Sequence, residues 1–245
     1  MPMTVDQSLL NPVLSRKVYF GHQSVGNNMM SGVESLKKSG SDLAKLRAVE
    51  IQAASEIAGP GIYHSKIGKN RDTQSKIQGF EEILKSGVGE AVDVAVMKFC
   101  YVDIVAETDV KALFSAYREA MERIQKRHPK LTLLHATVPL TVHGSGLRGK
   151  LRAWIKGDAT NARRMEYNEL VRNHFGKEGK VFDIAAAEST LADGTRVTFR
   201  HDGRICEAIS PKYAAGAGHL NDAGGQHVAA EFLRTIGRSL NSSPL

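Results

Sequence analysis

The chain has 245 residues, enough for one large domain whose core needs neither metal nor disulfide bonds. Hydrophobic residues make up 42% of it and charged residues 24%, which excludes a disordered, collagen-like or polytopic membrane protein. Thirty-three Lys and Arg against 26 Asp and Glu give a net charge of +7, but these basic residues are scattered along amphipathic segments, so we expect no nucleic-acid partner.

Apolar periodicity predicts strands and helices that alternate along the chain. In chain order we predict strand 17–21, helix 24–38, an ambiguous segment 47–54, a long loop 55–74, helix 75–84, strand 92–100, helix 110–128, strand 131–138, a helix capped by Thr160 and reaching about residue 175, strand 181–185 and helix 222–240. This alternation is typical of an α/β fold with a parallel sheet covered by helices on both sides. We find no linker or repeat and expect a single domain over residues 1–245.

The loops that follow the predicted strands carry most of the polar candidates. Ligands of an open parallel sheet bind beyond the carboxyl ends of its strands. We therefore expect Ser24, the segment 100–103, the segment 139–143 and His219 to share one crevice.

Ser24 follows the first predicted strand in Gly-His-Gln-Ser-Val-Gly and stands at a helix N-terminus, where backbone N–H groups favour negative charge. Serine is also a preferred helix cap, and capping alone would explain it. His219 lies in a glycine-rich turn before the last helix. If the two meet, they form the nucleophile and base of a serine hydrolase.

Two blocks of the sequence resemble the SGNH hydrolases, also called the GDSL esterase/lipase superfamily. Phe20-Gly21 with the serine turn and helix is similar to the first block of that family. Gly-His-Gln-Ser stands where Gly-Asp-Ser is usual and is closer to the Gly-Gln-Ser variant of carbohydrate acetylesterases. His219-Leu220-Asn221 with Gly224 resembles its last block. The resemblance spans roughly residues 17–240 and implies a flavodoxin-like three-layer α/β/α sandwich with Ser24 as nucleophile and His219 as general base.

The resemblance also implies an oxyanion hole, built in the family from the N–H of the serine, a glycine N–H and an asparagine side chain. Gly68 is the candidate glycine, whereas Val102 stands where the asparagine of the third block would fall. The candidate substitute is Asn70, with Asn27 and Asn28 as further alternatives. An active enzyme needs such a donor, because losing one costs about a hundredfold or more in rate.

The orienting carboxylate of the family is also missing, because Gly216 stands three residues before His219 where an aspartate is usual. Four alternatives remain open: Asp183, Glu188, Asp103 or a backbone carbonyl could face the histidine.

Several other residues are weaker candidates. Lys98, in an apolar strand, and Gln23 are candidate substrate contacts. Cys100 is a rival nucleophile, but no histidine is adjacent and a small buried residue is the simpler interpretation. The histidines show no metal-ligand spacing, so we expect no metal and no cofactor.

The two cysteines are far apart, which excludes a disulfide framework, and no apolar run approaches the ~20 residues needed to span a bilayer. As written, the chain is expected to be cytoplasmic; removal of a signal peptide would make it periplasmic or secreted. No pattern predicts an oligomeric state.

The leading hypothesis is a serine hydrolase that cleaves an ester of a small molecule or carbohydrate, such as an O-acetyl group. The alternative is a non-catalytic ligand- or carbohydrate-binding protein that retains the fold. An α/β-hydrolase ranks third, because the nucleophile turn of that fold follows a middle strand, whereas Ser24 follows the first.

Overall fold

A computed structural model describes residues 5–38, 42–144 and 147–242, with the backbone alone described for 147–156. Its centre is a parallel sheet of six strands, ordered β2-β3-β1-β4-β5-β6. The strands are β1 Lys17–His22, β2 Ala48–Glu50, β3 Gly61–Lys66, β4 Val94–Met97, β5 Thr132–Ala136 and β6 Val181–Phe182. Apart from the edge strand β2, this is the flavodoxin-like order.

Helices cover both faces of the sheet. They are α1 Gln7–Leu14, α2 Ser24–Lys37, α3 Thr73–Ile83, α4 Gly89–Ala91, α5 Val110–Arg127, α6 Leu147–Phe175, α7 Ile184–Ser189 and α8 Asp222–Ser242. Helices α1, α2 and α8 pack together on one face, and α3, α5 and α6 pack together on the other. The predicted three-layer α/β/α sandwich is confirmed.

The central strands are apolar on both sides because each side meets a helical layer. Val18 and Phe20 of β1 enter the core beneath α2 and α8, whereas Tyr19 enters the opposite core beside Phe80 of α3. Successive side chains of a strand point to opposite faces, so an unbroken apolar run is what a doubly covered strand requires.

The largest error of the sequence prediction lies in the expected loop 55–74, which contains strand β3. This strand lies between β2 and β1. The Gly and Lys residues beside it are typical of loops, so the local sequence pattern did not predict a strand there. The ambiguous segment 47–54 provides the short strand β2.

Several element boundaries differ from those predicted. The strand expected at 181–185 ends at Phe182, because the Asp183 side chain accepts a hydrogen bond from Ala186 N and starts α7. The helix expected to begin at Thr160 extends back to Leu147. Two further elements were not predicted: α1 and an antiparallel hairpin, β7 Thr198–His201 with β8 Arg204–Glu207.

Among the described residues, none of the helices combines the length and apolar character needed to cross a membrane. No group of three or more His, Cys, Asp or Glu side chains in that part of the chain is arranged to hold a metal ion.

Candidate active site

The candidate site lies where the order in which strands are added to the sheet reverses. From β1 the chain adds β2 and β3 on one side and then returns to add β4 on the other. Such a switch point leaves a crevice beyond the carboxyl ends of the two central strands. Ser24 lies two residues beyond the end of β1, and the short 3-10 turn Tyr101–Asp103 follows β4.

Ser24 is the first residue of α2, and Gln23 occupies the N-cap position. The interpretation of Ser24 as the helix cap is therefore wrong. Its backbone N–H stands in the first turn, where no intrahelical acceptor exists. The described contacts of the serine hydroxyl are with side chains outside α2.

One of these contacts is with His219. Its Nε2 lies 3.2 Å from Ser24 Oγ, although 195 positions separate the two residues. The histidine belongs to a small antiparallel ladder, β9 Ala214–Ala215 with β10 His219–Leu220, just before α8. The next residue ties this ladder to α2, because Leu220 N donates to Asn28 Oδ1 at 3.4 Å. The structure thus brings together a residue from the first block of the sequence and one from the last.

The other ring nitrogen of His219 faces a phenol. Its Nδ1 lies 3.5 Å from the Tyr101 hydroxyl, and the two rings meet edge to face at 90° with centroids 5.6 Å apart. Tyr101 was not predicted as a site residue. Its place in the third block, one residue before Val102, was the available signal.

The predicted oxyanion residues lie on the loop after β3. Gln23 Nε2 donates to the carbonyls of Ile67 and Gly68, at 2.8 and 2.9 Å, which ties this loop to the N-terminus of α2. Gly68 has φ +54, and a Cβ there would lie 2.5 Å from Lys76 N, so the position requires glycine. Asn70 Oδ1 accepts from Lys76 Nζ at 2.9 Å, which leaves the amide nitrogen of Asn70 as a donor.

These contacts revise the expected role of Gln23. Its side-chain nitrogen is committed to two backbone carbonyls, so the residue holds the loop and is not placed as a substrate contact through that group.

Asp103 is not placed to orient His219. Its carboxylate forms an ion pair with Lys76 in which both side chains are fully buried. It also accepts backbone N–H groups of Arg71 at 2.8 Å and Cys100 at 2.6 Å. Both carboxylate oxygens therefore already have partners other than His219. The suggestion that Asp103 completes a catalytic triad is thus corrected.

Asp183 is also committed elsewhere. It accepts two hydrogen bonds from Arg172, at 2.7 and 2.9 Å, and further ones from Thr137 Oγ1 and Ala186 N, both at 3.1 Å. These contacts hold it at the edge strand β6, so it does not take the place of a triad carboxylate.

Glu188 is fully buried and accepts a hydrogen bond from Leu140 N. Burial is the main reason that its pKa is raised to about 8, with the nearby cations Lys98 and Arg164 acting in the opposite direction. Among its described contacts, none reaches His219.

Lys98 and Cys100 follow β4, and both are buried. The Lys98 side chain is enclosed and donates to Phe99 O at 3.3 Å, and burial lowers its pKa. Because only 1% of Lys98 is exposed, it has no surface for a substrate, which corrects the predicted contact. Cys100 is buried, with Sγ 3.8 Å from Ser24 Oγ.

Solved structures with a similar fold include GDSL-like lipases. A GDSL-like lipase from Bacteroides thetaiotaomicron has a TM-score of 0.53 at 12% identity, over 93% of this chain and 88% of that one. A candidate platelet activating factor from Streptococcus pneumonia has a TM-score of 0.54 at 11% identity, over 88% of this chain and 81% of that one. A candidate GDSL-like lipase from Parabacteroides merdae reaches 0.51 at 11% identity, over 91% and 96%.

No protein-family model matches the sequence. No curated protein matches it either. The resemblance to the SGNH hydrolases is thus confirmed as a similarity of fold. It is found by comparing structures, since the sequence identities are very low.

Proposed function

We propose that the protein is a serine hydrolase that cleaves a carboxylic ester, with Ser24 as the nucleophile and His219 as the general base. The observation that carries this proposal is the 3.2 Å separation of His219 Nε2 and Ser24 Oγ at a helix N-terminus. A serine that shares its proton with an imidazole is an activated nucleophile.

The reaction divides into two acyl transfers. His219 Nε2 takes the Ser24 proton as Oγ attacks the carbonyl carbon, and the tetrahedral intermediate expels the alcohol, which takes that proton from His219. His219 then removes a proton from water, and the resulting attack on the acyl-serine releases the carboxylic acid. The proton on His219 returns to Ser24 Oγ.

The proposed oxyanion donors are the backbone N–H groups of Ser24 and Gly68 and the side-chain amide of Asn70. The first stands in the unpaired first turn of α2, and the other two lie on the loop that Gln23 fastens to that turn. Asn70 takes the role of the asparagine that Val102 replaces. Donors held in place before the reaction stabilise the developing charge most effectively.

We further propose a short acyl group, such as an O-acetyl group on a carbohydrate. The support is the crowding of Ser24 by Cys100, whose Sγ is 3.8 Å away, together with the Gly-His-Gln-Ser sequence of the first block. An acetyl ester of p-nitrophenol should be hydrolysed faster than its octanoyl ester, and the reverse order would contradict a short acyl group.

Labelling with a fluorophosphonate tests the proposed nucleophile. The wild-type protein should be modified at Ser24, and Ser24→Ala should abolish both labelling and hydrolysis of p-nitrophenyl acetate. His219→Gln should lower hydrolysis by about a thousandfold or more, since nucleophile and base act as a unit.

Ser31→Ala is the matched control, because Ser31 is an exposed serine of the same helix. It should label as the wild type does. A folded wild-type protein that binds carbohydrate esters without labelling or turnover would favour the non-catalytic alternative.

A further inference from the structure

We propose that Tyr101 is the positioning residue of His219, taking with a neutral hydroxyl the place that an orienting carboxylate would occupy. This inference rests on the proposed hydrolase function. It assigns a Ser24–His219–Tyr101 arrangement in which Tyr101 acts through the histidine and touches no reacting atom.

The hydrogen-bond directions support this role. For Nε2 to accept the Ser24 proton, the neutral imidazole must carry its own proton on Nδ1. The Tyr101 hydroxyl oxygen, 3.5 Å from Nδ1, is the acceptor that favours this tautomer. The distance is long for a hydrogen bond, as catalytic contacts often are before substrate binds.

Arg164 and Gly218 both approach the Tyr101 ring closely. Arg164 lies over it, with Cζ 5.8 Å from the ring centroid, and Arg164 Nε donates to Tyr101 O at 2.9 Å. A Cβ at Gly218 would lie 2.9 Å from the same ring. The glycine before His219 thus allows the phenol to approach the histidine turn closely.

Within the part of the chain that the structure describes, few titratable groups contact this pair. The titratable groups that the described contacts place near His219 are Tyr101 itself, then Cys100 beside Ser24 and Arg164 over the tyrosine. Burial raises the Tyr101 pKa, with Cys100 adding to the effect and Arg164 opposing it. Burial lowers the Arg164 pKa to about 10, so the guanidinium stays charged at neutral pH. Because burial outweighs this cation and raises the Tyr101 pKa, the phenol remains neutral, and it stabilises the imidazolium less than a carboxylate would.

The first experiment compares the wild type with Tyr101→Phe in fluorophosphonate labelling as a function of pH. Removing the acceptor should slow labelling about tenfold, the effect of losing one weak hydrogen bond to a charged ring. The acidic limb of the profile should move to lower pH, because the protonated imidazole has lost a stabilising contact. With p-nitrophenyl acetate, kcat should fall while KM stays unchanged.

Tyr117→Phe is the matched control. The Tyr117 hydroxyl also faces a histidine Nδ1, that of His135 at 3.0 Å, but in the core on the far side of the sheet. Its labelling profile should match that of the wild type. Equal rates and profiles for Tyr101→Phe and the wild type would overturn the role of Tyr101 alone, whereas an unlabelled wild-type Ser24 would overturn the hydrolase proposal with it.

A second measurement needs no folded variant at position 101. In wild-type protein with ¹⁵N-labelled histidine, the His219 resonances, assigned by their loss in His219→Gln, should show a protonated Nδ1 and an unprotonated Nε2 near neutral pH. The opposite tautomer would overturn the proposal.

Discussion

Gly26 determines how closely the first turn of α2 can lie to His22. A Cβ at position 26 would lie 2.2 Å from His22 Cγ. The His22 ring is buried, with Nδ1 2.9 Å from Gln23 O and Nε2 3.0 Å from His64 Nδ1. A carbonyl can only accept, so Nδ1 carries the His22 proton and Nε2 accepts from His64. This neutral pair supports the turn that presents Ser24.

We expect Gly26→Ala to displace this ring and the turn. Overpacking of this kind costs about 1–3 kcal/mol, and labelling of Ser24 should fall with it because the serine is two residues away. Urea unfolding and fluorophosphonate labelling measure the two effects.

Gly59→Ala is the control, since no heavy atom lies within 4 Å of its added Cβ. It should change the free energy of unfolding by less than about 0.5 kcal/mol. A Gly26→Ala protein as stable and as reactive as this control would contradict the close contact.

At the scale of elements, the buried Lys76–Asp103 pair joins α3 to the turn that carries Tyr101. Lys76 comes from α3 and Asp103 from the turn after β4. Because Asp103 also binds the backbone of Arg71 and Cys100, one carboxylate connects both loops of the crevice. A buried charge is tolerated only when paired and hydrogen-bonded in this way.

We expect Asp103→Asn to lower the free energy of unfolding by about 3–5 kcal/mol, because it leaves the Lys76 ammonium buried without a counter-charge. The double variant Lys76→Met/Asp103→Asn should recover part of the loss. Urea unfolding is the measurement, and Asp202→Asn, on an aspartate whose side chain is 89% exposed, is the control. A loss below about 1 kcal/mol for Asp103→Asn would show that the pair does not hold the loops.

For the molecule as a whole, buried neutral histidines make stability depend on pH. Burial lowers the pKa of His22 and of His135 to about 3 each, from an ordinary value of 6.5. The unfolded chain therefore binds these protons more tightly than the folded protein does. Their contribution is complete above pH 6.5 and is lost as the pH falls from 6.5 towards 3.

We expect the free energy of unfolding to fall by about 1.4 kcal/mol per pH unit for each such histidine over this range. In His135→Gln, the free energy of unfolding should depend less steeply on pH between pH 6 and 4, because one fewer histidine takes up a proton on unfolding. Urea unfolding across pH tests this, and above pH 7 the curves of the two proteins should run parallel. An unchanged slope below pH 6 would show that His135 is protonated in the folded state.

The single domain expected over residues 1–245 stays a prediction. Both hydrophobic cores take residues from the same two central strands, Val18 and Val96 on one face and Tyr19 and Ala95 on the other. We therefore expect one cooperative unfolding transition.

Local patterns were sufficient for the elements whose signal is contained in a few neighbouring residues. The apolar runs of β4 and β5 and the amphipathic period of α5 predicted these elements, although the runs extended beyond the strands. Strand β3 was missed because its stability comes from hydrogen bonds to both neighbouring strands, which no local pattern contains.

The sequence by itself determined the layered α/β architecture, since alternating strands and helices form a covered parallel sheet, and its first and last blocks singled out Ser24 and His219 as candidates. Only the tertiary structure decided what faces the second nitrogen of His219, and that Asp103, Asp183 and Lys98 are engaged elsewhere. Those outcomes depend on which distant side chains compete for each buried donor and acceptor, and that competition is settled when the layers pack.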